Sequence, residues 1–234
     1  RYSRLPDAVV VEGPLAGGHL GFRKEQINDP HYALERLVPE VLAAVAPFAA
    51  TAARPIPVIA AGGIYTGADI RRFLHLGAAA VQMGTRFVAT HECDVAAAFK
   101  AAYLACSKDD VMIVDSPVGM PGRAIRNGFL DDIRCGKRKP FRCPYRCLRT
   151  CDVKNSPYCI ASALVNAQRG NLASGFAFAG ANAWRTTEIV SVRELLDSLV
   201  EEYLAASAAA GPGNQTAARS RRQHRASLVA SLPG

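Results

Sequence analysis

Three short apolar runs without polar alternation stand in the first part of the chain: "AVVVEG" (8–13), "PVIAAGG" (57–63) and "AAVQMGT" (79–85). Brief continuous runs of this kind fit strands buried on both faces of a parallel sheet, because a half-exposed strand would alternate. Between and after them the apolar spacing changes to that of helices. Leu34, Leu37, Val38, Val41, Leu42 and Val45 share one helical face. "GADIRRFLHLG" places Ile70, Phe73 and Leu74 together and stops at Gly77. "CDVAAAFKAAYLA" follows the third run, with Cys93 and Cys106 expected in that helix as core residues. Strand–helix alternation predicts an α/β parallel sheet.

Each run ends in glycine, at the end of a strand where α/β folds keep their ligands. The short spacing from "AAGGI" to "MGTRF" fits two consecutive βα units. In a (β/α)8 barrel the loops after strands 7 and 8 form the usual phosphate site. On that numbering "VVVEG" is strand 6 and five strands are missing. The first residue is Arg1 rather than Met. The expectation is therefore the C-terminal part of a TIM barrel, about strands 6–8, in a chain cut from something longer.

Beyond the third unit the pattern becomes irregular. "SPVGMPGRAIRN" (116–127) reads as a loop and "FLDDI" as a short helix. A Cys-rich segment runs from Cys135 to Cys159, and "CIASALVNAQRGN" resumes helical spacing up to Gly170. "VSVRELLDSLVEEYLAAS" (190–207) predicts an amphipathic helix with a Ser191–Glu194 capping box. The expected organisation is barrel over 1–130, a Cys-rich helical extension over 131–207 and a disordered basic tail over 208–234.

Composition narrows the function classes. The chain has 234 residues, half of them hydrophobic, enough for a sizeable core. No apolar run approaches the roughly 20 residues that span a bilayer. The net charge of +8 is concentrated in 134–154 and 218–225, where few aromatics accompany it, so it reads as solvated basic segments and no nucleic-acid partner is expected. Seven cysteines with no secretion signal point to reduced thiols in the cytoplasm.

The candidate chemistry begins at "GGHLG" (17–21). A histidine on small residues at a strand end can exchange a proton with whatever fills the mouth of the fold. The same histidine equally reads as a loop residue capping a carbonyl. The glycine loops downstream favour the first reading, because they imply a phosphate bound on the same face.

"EGPLAGGHLG", "PVIAAGGI" and "VQMGTRF", in that order, resemble the nitronate monooxygenase family, formerly called 2-nitropropane dioxygenases. Flavin-dependent enoyl-acyl-carrier-protein reductases share its fold and motifs. The resemblance covers roughly 8–127; "SPVGMPGRAIRN" resembles the family's post-barrel segment, and the Cys-rich remainder an extension carried by one subgroup. It implies an FMN-binding TIM barrel. His19 falls on the family's catalytic histidine, and Gly17 and Gly18 on glycines beside the flavin. Gly62 and Gly63 fall on the first phosphate loop. Gly84 and Thr85 fall on the second, with the Thr85 hydroxyl facing phosphate. Gln82 and Met83 precede that loop and are placed against the flavin ring, although Met83 also reads as a strand residue packed into the barrel. Glu12 is expected to hold a loop or His19 itself.

The first functional expectation is oxidation of alkyl nitronates with dioxygen, on a small-molecule substrate, in a protein that forms a homodimer. The alternative is an enoyl-thioester reductase using NAD(P)H as co-substrate. A third reading is an inactive fragment. Cys143, Cys147 and Cys151 recur every fourth residue, along one face of a helix, with Cys159 close behind. An iron–sulfur or zinc site and a set of structural thiols are both open readings of these four residues, since the spacing matches no standard motif.

Overall fold

The computed structural model describes residues 4–143, 147 and 151–210. Its first half follows the sequence pattern. Strands β1 (Val9–Glu12), β3 (Val58–Ala61) and β4 (Ala80–Gln82) form a parallel sheet in the order β1-β3-β4, Val11 standing opposite Ala60 and Ala60 opposite Val81. Helix α1 (Leu34–Thr51) makes the first crossover and α2 (Gly67–His75) the second. Thr66 caps α2 through a bond from Asp69 N to its hydroxyl, at 3.1 Å. The Asp69 carboxylate returns the contact to Thr66 N at 2.9 Å, closing a capping box.

The sheet is two-faced. Val11, Val58, Ala60 and Val81 pack against Leu34, Val38 and Phe73 of the helices. The opposite face carries Val10, Glu12, Ile59, Ala80 and Gln82, and Val10 is 49 % exposed. A parallel sheet ordinarily has both faces covered. Here the start of that face, at Val10 and Ala80, is exposed and the outer edges of β1 and β4 have no strand partner among the described residues, whereas Ala61 at the face's carboxyl end is buried.

The second half departs from the expected loop. Residues 111–125 form a hairpin of β5 (Val111–Asp115) and β6 (Pro121–Ile125), turning through 116–120. A two-residue strand, β2 (Gly18–His19), adds to the other side of β6, giving an antiparallel sheet ordered β2-β6-β5. The Pro- and Gly-rich "SPVGMPGRAIRN" is therefore turn and strand. β6 begins on proline, whose missing N–H is tolerated at a strand's first residue.

Helices α3 (Thr85–Val88) and α4 (Ala97–Leu104) follow β4. Cys93 lies in the turn before α4 and is only half-buried, whereas Cys106 lies just past the helix and is buried beside Tyr103. α5 (Gly128–Arg134) and α6 (Ile160–Gln168) close a second core with the hairpin, built on Phe129, Leu130, Tyr158, Ala163 and Phe176. The last helix, α7 (Val192–Ala209), carries the expected Ser191–Glu194 capping box and packs back on α2. Beyond residue 210 the basic tail lies outside the described residues.

Candidate flavin cleft

The site is a cleft of about 320 Å³ at the carboxyl ends of the parallel strands. Gly17, Gly18, Gly62, Gly63, Gln82, Met83, Gly84 and Thr85 all line it. Residues separated by up to 68 positions thus converge because three parallel strands end on the same side of the sheet.

The glycines serve different physical ends. Gly62 and Gly63 have φ of +90° and +80°, a region that L side chains rarely adopt. A Cβ on Gly63 would also sit 2.6 Å from the Leu15 Cβ. Gly84 has an ordinary φ of −125°, and a Cβ there would meet nothing within 4 Å. Its smallness keeps space open without any demand from the backbone. The N–H groups of Gly63, Gly84 and Thr85 find no acceptor among the described residues. Unpaired donors on small residues suit the oxygens of a phosphate, so the residues present fit an FMN phosphate and leave room for its flat ring.

The opposite wall comes from a segment the sequence reading did not single out, Phe178–Asn182. Tyr103 donates its hydroxyl to Phe178 O at 2.6 Å, and Asn182 Nδ2 donates to Gly63 O at 2.7 Å. Gly180 N donates to the Thr85 hydroxyl oxygen at 3.0 Å, so Thr85 already supports this wall while its own proton stays available. A Cβ on Gly17 would lie 2.5 Å from Gly180 N, so the two walls meet through glycine. The signal in the sequence is the small-residue run "AFAGANA", legible only once its neighbours are known.

His19 stands beside the cleft. Its ring packs edge-on against Phe178, centroids 5.0 Å apart, and Phe178 lines the cavity. Nε2 lies 2.7 Å from the Ser116 Oγ. Burial lowers the His19 pKa below the usual imidazole value, which favours the neutral ring. Ser116 is the first residue of the hairpin turn and is itself buried, so β5 and β6 hold the ring through it. Glu12 contacts neither His19 nor a loop: it makes no hydrogen bond or ion pair among the described residues. It lines the cleft, and burial raises its pKa.

The cysteines do not form a shared centre among the described residues, where no group of three or more His, Cys, Asp or Glu side chains is placed to hold a metal. Cys143 and Cys151 are half-buried, Cys147 is exposed and Cys159 is buried at the start of α6. The expected helix through 143–151 falls largely outside the described residues. Also among these residues, no helix is long and apolar enough to cross a membrane.

Parallel βα units with a glycine-lined cleft at their carboxyl ends place the chain in the α/β class. The nitronate monooxygenase family model matches residues 2–202, and the chain belongs to that family. It is 37% identical over 132 residues to a (3aS,4S,5R,7aS)-5-hydroxy-7a-methyl-1-oxo-octahydro-1H-indene-4-carboxyl-CoA dehydrogenase of Mycobacterium tuberculosis, covering 56% of this chain and 33% of that protein. It is 34% identical over 128 residues to a probable nitronate monooxygenase of Staphylococcus aureus, covering 54% of this chain and 34% of the relative. Among solved structures, FabK from Thermotoga maritima superposes with a TM-score of 0.65 at 29% identity, over 86% of this chain and 55% of that one. The nitroalkane oxidase from Streptomyces ansochromogenes gives 0.64 at 26%, over 88% and 54%. The chain thus spans about a third of the curated relatives it matches and about half of these solved ones.

Proposed function

We propose that the chain is the C-terminal part of an FMN-binding (β/α)8 barrel, and that its protein oxidises alkyl nitronates with dioxygen. The observation that carries the reading is the convergence of all eight glycine-loop residues on one cleft with His19 held beside it. The uncovered face of the β1-β3-β4 sheet supports the barrel part of the proposal. Strands preceding residue 1 would cover that face and complete the barrel interior.

FMN, when bound, supplies the electron-accepting chemistry. Gly63, Gly84 and Thr85 would offer their backbone N–H groups to its phosphate, and Gly18, with nothing within 4 Å of a Cβ, leaves open space in the cleft wall. His19, kept neutral by burial, takes the acidic proton α to a nitro group or orients a nitronate already formed. Ser116 fixes the ring through Nε2. Phe178 blocks water from one side.

A second reading is reduction of a thioester conjugate with NAD(P)H, His19 then giving a proton to the substrate. The 37% identical CoA dehydrogenase and the likeness to FabK favour it. Two assays of the flavin-loaded protein separate the readings. Dioxygen uptake with an alkyl nitronate, and none without it, supports the first. Oxidation of NAD(P)H by an enoyl thioester under argon, with nitronates inert, supports the second and overturns the first.

A further inference from the structure

Arg123 is a charged residue for which neither the motif reading nor the proposed chemistry accounts. It lies in the middle of β6, opposite Gly18 of β2, and is only 6 % exposed. One terminal nitrogen, Nη1, donates to both Pro14 O and Ala16 O at 2.6 Å. Those carbonyls belong to the loop that leads from β1 into Gly17, Gly18 and His19. Among the described residues no carboxylate pairs with the charge, and the other guanidinium nitrogens have no protein acceptor but are not sealed from solvent. Burial alone pulls the pKa down to about 10, which leaves the group protonated at neutral pH.

A largely buried cation with no carboxylate partner is costly. The charge itself therefore calls for an explanation. Ala16, Gly17 and Gly18 line the cleft, so the guanidinium sits immediately behind its wall. In a poorly hydrated site a positive charge at that position acts on any anion in the cleft more strongly than it would in water. A reduced flavin carries one more negative charge than the oxidised ring.

We propose that Arg123 is a positioning residue for the flavin: it clamps the Pro14–Ala16 loop so that Gly17, Gly18 and His19 face the ring, and its charge favours the reduced, anionic cofactor. The proposal rests on the flavin reading above. It concerns a residue that does not touch the reacting atoms, and it separates into a geometric and an electrostatic part.

The test is spectroscopic and needs no turnover. FMN-loaded wild-type, Arg123→Lys and Arg123→Gln proteins are titrated with sulfite, which adds to flavin N5 and leaves a negative charge on the ring. Their reduction potentials are measured by dye equilibration. Arg123→Gln loses the charge and, being shorter, also releases the loop carbonyls, whereas Arg123→Lys keeps the charge, so the two variants together isolate the electrostatic part. Arg123→Gln is expected to bind sulfite about tenfold or more weakly, the scale of a lost charge-assisted interaction, and to have a lower potential. Arg123→Lys keeps the charge and is expected to lie close to wild type in both. FMN affinity reports the clamp and should fall in both Arg123→Gln and Arg123→Met. Wild-type sulfite affinity and potential in Arg123→Gln overturn the proposal. If Arg123→Gln does not fold, the Lys variant decides, because a shift there as large as a lost charge would equally overturn it. A wild-type protein that takes up no FMN overturns the flavin reading and this proposal together, which distinguishes the two failures.

Discussion

At the scale of single residues, the cleft separates glycines required by the backbone from glycines required by a ligand. Gly63 has φ +80° and a neighbour in the way of any Cβ. Gly63→Ala is expected to destabilise the fold by about 1–3 kcal/mol and to lower the thermal midpoint even without cofactor. Gly84 has ordinary backbone and open space. Gly84→Ala is expected to leave the midpoint of the apo protein unchanged and to weaken FMN binding; differential scanning fluorimetry with and without FMN reads both. Similar behaviour of the two variants would contradict the cradle. His19 makes a prediction in pH. Its folded pKa lies below the usual value of about 6.5, so the neutral ring persists as pH falls, and the acidic limb of kcat/KM belongs below 6.5. The same shift means that His19's stabilising contribution, full above the unfolded pKa, is lost as pH falls through the folded one. His19→Ala is expected to lower turnover about 10²-fold or more while FMN stays bound. A limb above 6.5, or unchanged turnover, would return His19 to a loop residue.

At the scale of elements, α7 is tied to the start of α2 and to the residue after Thr85. Glu202 accepts from Gly67 N at 2.6 Å and pairs with Arg86 at 3.1 Å, linking α7 to the start of α2 and to the residue after Thr85. Glu202→Ala is expected to cost about 1–3 kcal/mol, because it orphans a partly buried N–H. Ser191→Ala, which removes the α7 cap, should cost about 1 kcal/mol. Urea unfolding checks both, and a larger loss from Ser191→Ala would contradict the link. The parallel strands and α7 are legible in the sequence because their signals are local: continuous apolar runs ending in glycine, and a capping box. The hairpin is not. β6 reads "PGRAI", with two poor strand formers at its start, and it is a strand because β5 and β2 pair with it. The eight cleft residues are legible through their motifs. The Phe178–Asn182 wall, Ser116 and Arg123 are not, because each acts through partners far along the chain. For Cys143, Cys147, Cys151 and Cys159 regular spacing is not matched by a group of metal-binding side chains among the described residues.

At the scale of the whole molecule, the parallel sheet has a face exposed at Val10 and Ala80, and the cleft at its carboxyl ends is proposed to hold a cofactor. The open face predicts that the 234-residue chain alone binds an apolar dye strongly, and that strands added before residue 1 suppress that binding; equal dye binding by both would count against the barrel reading. The central claim is the cofactor. The most direct measurement is the absorbance spectrum of the purified protein, together with chromatography of the pigment released on denaturation. The account predicts a yellow protein that releases FMN at close to one equivalent per chain. Release of FAD, or no flavin even after FMN is supplied, would contradict it.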